Sequence, residues 1–246
     1  MFRSNKPPQP QFHGSGIITS VDTQKTDHER VNIFLDGQYA FSLTAILAAE
    51  QRLIAGKYLD AEAVAELQSA DLYHRALSAA LNMLSRRAHT EAEIRNKLKR
   101  AYPDIATSTV SRVLARLKEL KYLDDEEFAR MWVQSRTSYA PRGSLLIKRE
   151  LSAKGVKEEQ IDEAVNAVLA TPQESEDGEE RTLEEQQALE LARRKAHSLA
   201  GEDWAGFYRK MGGFLARRGY NFSIINEVVR EAWKELKEES PGEDLE

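Results

Sequence analysis

The chain has 246 residues, of which 41% are hydrophobic and 30% charged, and a net charge of −5. It is long enough to bury one large core or two or three small ones, and too apolar to be disordered throughout. The absence of cysteine excludes a disulfide framework, thiolate zinc sites, iron–sulfur clusters and cysteine nucleophiles, and fits a reducing cytoplasm. The longest charge-free runs, Pro7 to Val21 and Gly37 to Ala49, hold 15 and 13 residues, fewer than the roughly 20 apolar residues of a membrane helix. No membrane span is expected, and no signal peptide, because no apolar core follows the basic residues of MFRSNKPPQP.

Residues 1–13 are rich in proline and glutamine and read as a disordered tail. From Gly16 the pattern is β. Ile17 to Val21 forms one apolar run, and Val31 to Leu35 and Tyr39 to Phe41 flank Asp36-Gly37. An Asp-Gly pair between two such runs signals a tight hairpin, since both central positions need positive φ. The pattern predicts a three-stranded antiparallel sheet, with Thr23 to Glu29 as a polar loop. Leu43 to Leu53 and Ala61 to Ser69 then read as two short helices separated by Gly56.

From Asp71 onward the pattern is helical and repeats. In each copy an apolar residue precedes a leucine by four positions, a basic turn follows, and a second amphipathic helix begins. The copies are Ile94/Leu98 before Lys99-Arg100, Ile147/Leu151 before Lys154-Gly155-Val156, and Met211/Leu215 before Arg217-Arg218-Gly219. Helices over Leu72 to Arg86, Asp125 to Ser138 and Leu183 to Leu199 precede them, which makes nine helices in three units. Units of about 50 residues are too small for independent cores, so neighbours must share burial in an elongated array. Thr90 and Glu93 fit a capping box, Asp124 or Asp125 a cap, Pro141 a first helical turn, and Gly155 and Gly219 left-handed helix ends. Gly212-Gly213 costs about 1 kcal/mol per glycine inside a helix and predicts a kink.

The expected fold is mainly α: three tandem three-helix repeats preceded by a small N-terminal antiparallel sheet with short helices. The expected boundaries are 14–70 for the β-containing part, 71–122, 123–170 and 187–240 for the repeats, and 171–186 for an acidic linker. The acidic linker carries most of the negative charge. Net charge is −2 over residues 1–70, +4 over 71–171, −6 over 172–186 and −1 over 187–246.

Signals for catalysis are absent. The five histidines are scattered, and none lies three or four residues from another. Asp124-Asp125-Glu126-Glu127 is explained by the dipole at a helix start rather than by a metal. No phosphate loop, dinucleotide fingerprint or nucleophile elbow is present. Neither cofactor nor metal is expected. Three-helix units resemble helix-turn-helix domains, but the third helix is basic only in the first unit; in the second, Lys157 stands against Glu158, Glu159, Asp162 and Glu163. A basic face runs through Arg86, Arg87, Arg95, Lys97, Lys99 and Arg100, and through Arg142, Lys148, Arg149 and Lys154. It reads either as solvated bases at helix ends or as an electrostatic surface for an acidic partner, or for single-stranded DNA held by that partner.

The run from Ala79 to Ile94, with Leu98, Tyr122 to Ala129, Arg136, Pro141-Arg142-Gly143, Ile147 to Leu151 and Lys154-Gly155-Val156, resembles the RecX family of bacterial regulatory proteins. The resemblance spans about residues 71–170. It implies three tandem three-helix repeats and a non-enzymatic protein that binds the RecA recombinase and modulates, usually inhibits, its filament on single-stranded DNA. It also implies no cofactor. On this reading Arg86, Arg87, Arg95, Arg136, Arg142 and Lys154 are the expected partner contacts, and Ile94, Leu98 and Phe128 belong to the core. The protein is expected to be a cytoplasmic monomer with at most weak contact to single-stranded DNA. The alternative is a free-standing helix-turn-helix DNA-binding protein.

Overall fold

A computed structural model of the chain describes residues 14–139, 141–174 and 180–239. The tail expected over residues 1–13 lies outside the described residues. Two compact units divide the chain, one holding Met1–Met83 and Leu98–Arg116, the other Leu84–Lys97 and Leu117–Glu246.

The first unit opens with strands β1 (Gly16–Thr23), β2 (Arg30–Leu35) and β3 (Gln38–Thr44), a short helix α1 (Ala45–Glu50), and β4 (Tyr58–Leu59). The expected hairpin is present: Asp36 and Gly37 have φ of 50° and 80°. The sheet has four antiparallel strands in the order β3-β2-β1-β4, not three. Strand β4 contributes only Tyr58 and Leu59, opposite Ile17 and Gly16, too short a segment for a period-2 pattern to register. Inward-facing Ile18, Ile33, Leu35, Phe41 and Leu43 pack with Leu47 of α1.

Two further expectations change here. The helix expected over Leu43 to Leu53 is shortened to α1 because Leu43 completes β3. The short helix expected over Ala61 to Ser69 is the start of α2 (Ala61–Leu84), which continues because neither glycine nor proline interrupts it. Residue 71, the expected start of the first repeat, therefore lies mid-helix. Asp71 is buried there, accepting both guanidinium nitrogens of Arg30 at 3.2 and 3.1 Å and the Thr44 amide at 2.9 Å. Arg30 also donates to the Ser42 carbonyl at 3.0 Å. The pair thus occupies backbone groups on the outer side of β3 that would otherwise leave an open sheet edge.

Helices α3 (Glu91–Ala101) and α4 (Thr107–Glu119) follow, and the division between the units passes through both. The second unit continues with α5 (Asp125–Tyr139), α6 (Ser144–Ala153) and α7 (Glu158–Leu169), then α8 (Leu183–Ala196), α9 (Trp204–Arg217) and α10 (Phe222–Glu239). Among the described residues, α2 to α10 make the nine helices read from the repeat. Phe128, Ile147, Leu151, Ile161 and Val165 form the core of one triplet, and Phe207, Met211, Leu215, Ile225 and Val229 that of the next.

Other local expectations fare unevenly. Asp124 caps α5, accepting from the amides of Glu126 and Glu127 at 3.0 Å each. Pro141 lies ahead of α6, whose N-cap is Gly143. Part of the expected acidic linker is ordered: Pro172–Glu174 (β5) pairs antiparallel with Glu180–Thr182 (β6), while residues 175–179 lie outside the described residues. Glu184 and Glu185 belong to α8, started by a capping box between Thr182 and Glu185.

Helix α9 continues through Gly212-Gly213, since burying Phe207, Met211 and Leu215 outweighs the glycine penalty. A Cβ on Gly212 would sit 3.6 Å from Ile225 Cγ2, an ordinary contact. Gly212→Ala is therefore expected to raise stability by about 1 kcal/mol. Gly219→Ala, at φ of 90° and against Leu146, is expected to lower it by more than about 1 kcal/mol. Urea unfolding midpoints measure both.

Candidate functional site

The second unit contains one joint built twice. At the first, Gly155 ends α6 with φ of 79°, and a Cβ there would overlap the Ala92 methyl of α3. The Thr90 hydroxyl, just before α3, donates to the Lys154 carbonyl at 2.7 Å and accepts the Glu93 amide at 3.1 Å. The first amide of α3, on Glu91, donates to Asp125 Oδ1 in α5 at 2.9 Å. At the second joint, Gly219 ends α9 with φ of 90°, and a Cβ there would overlap Leu146 of α6. The Gly143 amide donates to the Arg218 carbonyl at 2.9 Å, and the first amide of α6, on Ser144, donates to Glu184 of α8 at 2.7 Å. Thr90 and Gly143 both stand eight residues before their repeat leucine, and Gly155 and Gly219 four after theirs. In each joint, then, a helix start rests on the glycine turn of the following repeat and is capped by that repeat's first-helix carboxylate.

Only half of the capping box expected at Thr90 and Glu93 forms, because the Glu93 carboxylate is used elsewhere. It receives Arg87 at 3.0 Å and Lys154 at 2.9 Å. Burial would raise its carboxyl, but these two hydrogen bonds and charges hold it at about 2. Glu91 likewise receives Lys118 and Arg95, each at 2.6 Å, and the Lys118 hydrogen bond is the main cause of its lowered pKa. Glu150 receives Arg136 at 2.8 Å and, through its other oxygen, Arg142. Each of these three carboxylates therefore holds two cations, an excess of three positive charges, or two once the half-buried Asp125 is counted.

Of the six expected contact residues, Arg136 and Arg142 thus meet on Glu150, Arg87 and Lys154 on Glu93, and Arg95 stands apart on Glu91. Arg86 is exposed and makes no ion pair among the described residues. Ile94, Leu98 and Phe128 are buried, as expected of core. The organising side chain absent from the sequence reading is Trp132. Phe128, Trp132 and Arg136 lie at four-residue steps on α5, with the two rings stacked at 5.8 Å and the guanidinium 4.2 Å from the Trp132 centroid. Lys154 Nζ lies 4.5 Å from the same centroid, and the indole N–H donates to Glu150 at 2.9 Å. The four-residue spacing on one helix face was the available signal; the role of Glu150 was not, because it comes from another helix.

Family models for RecX match the chain in four places: the N-terminal domain over residues 16–60, and the first, second and third three-helix domains over 76–117, 124–165 and 183–229. The regulatory protein RecX of Bacillus subtilis is 31% identical over 229 residues, covering 93% of this chain and 82% of its own. The chain belongs to the RecX family. A Clostridium botulinum RecX is also 31% identical, over 87% of this chain and 95% of its own. A crystal structure of regulatory protein RecX superposes with a TM-score of 0.66 at 26% identity, covering 87% of this chain and 98% of that one. RecX from Lactobacillus salivarius shares the fold, with a TM-score of 0.58 at 23% identity over 67% of this chain and 99% of that one. The RecX three-helix domains correspond to the repeats, and the RecX N-terminal domain to the sheet.

Among the described residues no helix is long and apolar enough to cross a membrane, and no group of three or more His, Asp or Glu is placed to hold a metal ion. Among the described residues, the buried histidine of this RecX chain is instead part of the first joint. His89 Nδ1–H donates to the Arg87 carbonyl at 2.9 Å, so Nε2 accepts from Lys97 at 2.8 Å. Burial, followed by Arg87 and Lys97, lowers its pKa below 6.5. The unfolded chain takes up the proton first, so the stability held by neutral His89 is complete above about pH 6.5 and is lost as pH falls through the folded value. Urea unfolding should therefore show the stability of wild type relative to His89→Gln shrinking between pH 7.5 and 5.

Proposed function

We propose that this protein binds a RecA recombinase filament on single-stranded DNA and restrains its activity by occupying its surface, without catalysing a reaction. The observation that carries this reading is the set of three shared carboxylates at the joint of the first two repeats. Six cations held against three carboxylates form a preset electropositive surface, and it lies in a chain of the RecX regulatory family. Ordered ion pairs reduce the side-chain entropy lost when such a surface meets its partner. The contact residues in this reading are Arg86, Arg87, Arg95, Arg136, Arg142 and Lys154. Tandem repeats suit a helical filament, since linked contacts to successive protomers add through effective concentration. The protein acts as a cytoplasmic monomer, with at most weak direct contact to single-stranded DNA.

Duplex reading by helix-turn-helix units is less well supported. Helix α7 starts with Glu158 and Glu159 and carries Asp162 and Glu163, a face that repels phosphate. RecA-catalysed ATP hydrolysis on single-stranded DNA should fall when this protein is added at stoichiometric amounts; an unchanged rate would refute the reading.

A further inference from the structure

Arg136 is held from two sides and open at its end. Its Nε donates to Glu150 Oε2 at 2.8 Å, and its guanidinium carbon lies over the Trp132 ring, 4.2 Å from the centroid. Trp132 is itself fixed by its N–H bond to the same carboxylate oxygen at 2.9 Å. Among the described residues Nη1 and Nη2 of Arg136 donate to no acceptor, and the side chain is 28% exposed. Arg142 approaches the other oxygen of Glu150 and brings a second guanidinium to the same place.

A guanidinium locked through Nε and one face presents its two Nη groups as a rigid fork, and that fork matches a carboxylate bidentately. We propose that the Arg136 fork, with Arg142 beside it, is the docking point for a carboxylate on an acidic segment of the protein partner. This deepens the regulatory reading and rests on it for the partner's identity. A carboxylate fits better than a phosphodiester backbone. Glu93 and Glu150 stand within the same cationic cluster and oppose a continuous run of phosphates, and the excess of three charges is below the roughly 6–10 phosphate contacts of a strong nucleic-acid binder. One carboxylate needs only one fork. Glu150 then acts as a positioning residue, aiming Arg136 without touching the partner.

The test follows arginine side-chain 15Nε signals of the full chain while a hexaglutamate peptide, and separately a dT10 oligonucleotide, is added at matched ionic strength. The Arg136 signal should shift saturably with the peptide, and Arg136→Lys, which keeps the charge and loses the fork, should weaken peptide binding on the order of tenfold. An Arg136 signal unmoved by the peptide, tighter binding of dT10 than of the peptide, or unchanged peptide affinity in Arg136→Lys would each overturn the proposal. The wild-type titration does not depend on the variant folding. It also needs no RecA, so an unchanged rate of ATP hydrolysis and a failure of the fork are separate results.

Discussion

The helix start seated on a left-handed glycine turn is the contact on which the second unit depends. Gly155 and Gly219 serve two purposes at once: each ends a helix at positive φ, and each leaves room for a helix of the preceding repeat where a methyl group would collide. That close approach brings the first amide of α3 and of α6 to a carboxylate of the following repeat. Each triplet of the second unit encloses its own core, so a joint combining backbone fit with charge-assisted hydrogen bonds fixes where a helix start lies against the following repeat.

The two joints share this geometry but differ in what surrounds it. Around the first, Thr90, Glu93 and Lys154 connect the backbone contact to a network of ion pairs, and Trp132 lies beneath Arg136 and Lys154. Around the second, Gly143 replaces the threonine, and Tyr220 follows the glycine with its hydroxyl buried and without a hydrogen-bond partner among the described residues. Burial there drives the Tyr220 pKa upward, so the hydroxyl stays neutral. One repeated backbone device therefore supports a network of ion pairs in one place and a buried tyrosine in the other. The partner contact proposed above lies at the former, where the ion-paired cations are partly exposed.

Much of the fold was legible in local pattern. Asp36-Gly37 announced its hairpin because few other pairs tolerate two positive φ values, and the apolar residue four positions before each repeat leucine marked the cores around Leu151 and Leu215. Features set by distant partners were not legible. Asp125 reads as one more acid at the start of α5, yet it caps α3. Arg136 and Arg142 read as separate partner contacts, yet both are anchored on Glu150. Gly212-Gly213 carries a local glycine penalty, yet α9 continues through it over the core to which Met211 and Leu215 belong. In each case the types of residue were informative, and their pairing required three dimensions.

The joint can be tested directly by amide hydrogen exchange. First-turn amides of a helix have no intrahelical acceptor and exchange quickly unless something else accepts them. Glu158 opens α7, whose N-cap makes no side-chain hydrogen bond, and it serves as the internal reference. The amides of Glu91 and Ser144 should exchange more slowly than that of Glu158 by about tenfold or more, with protection lost at Glu91 in Asp125→Ala and at Ser144 in Glu184→Ala. Exchange at Glu91 and Ser144 as fast as at Glu158 would contradict the joint and the surface built on it.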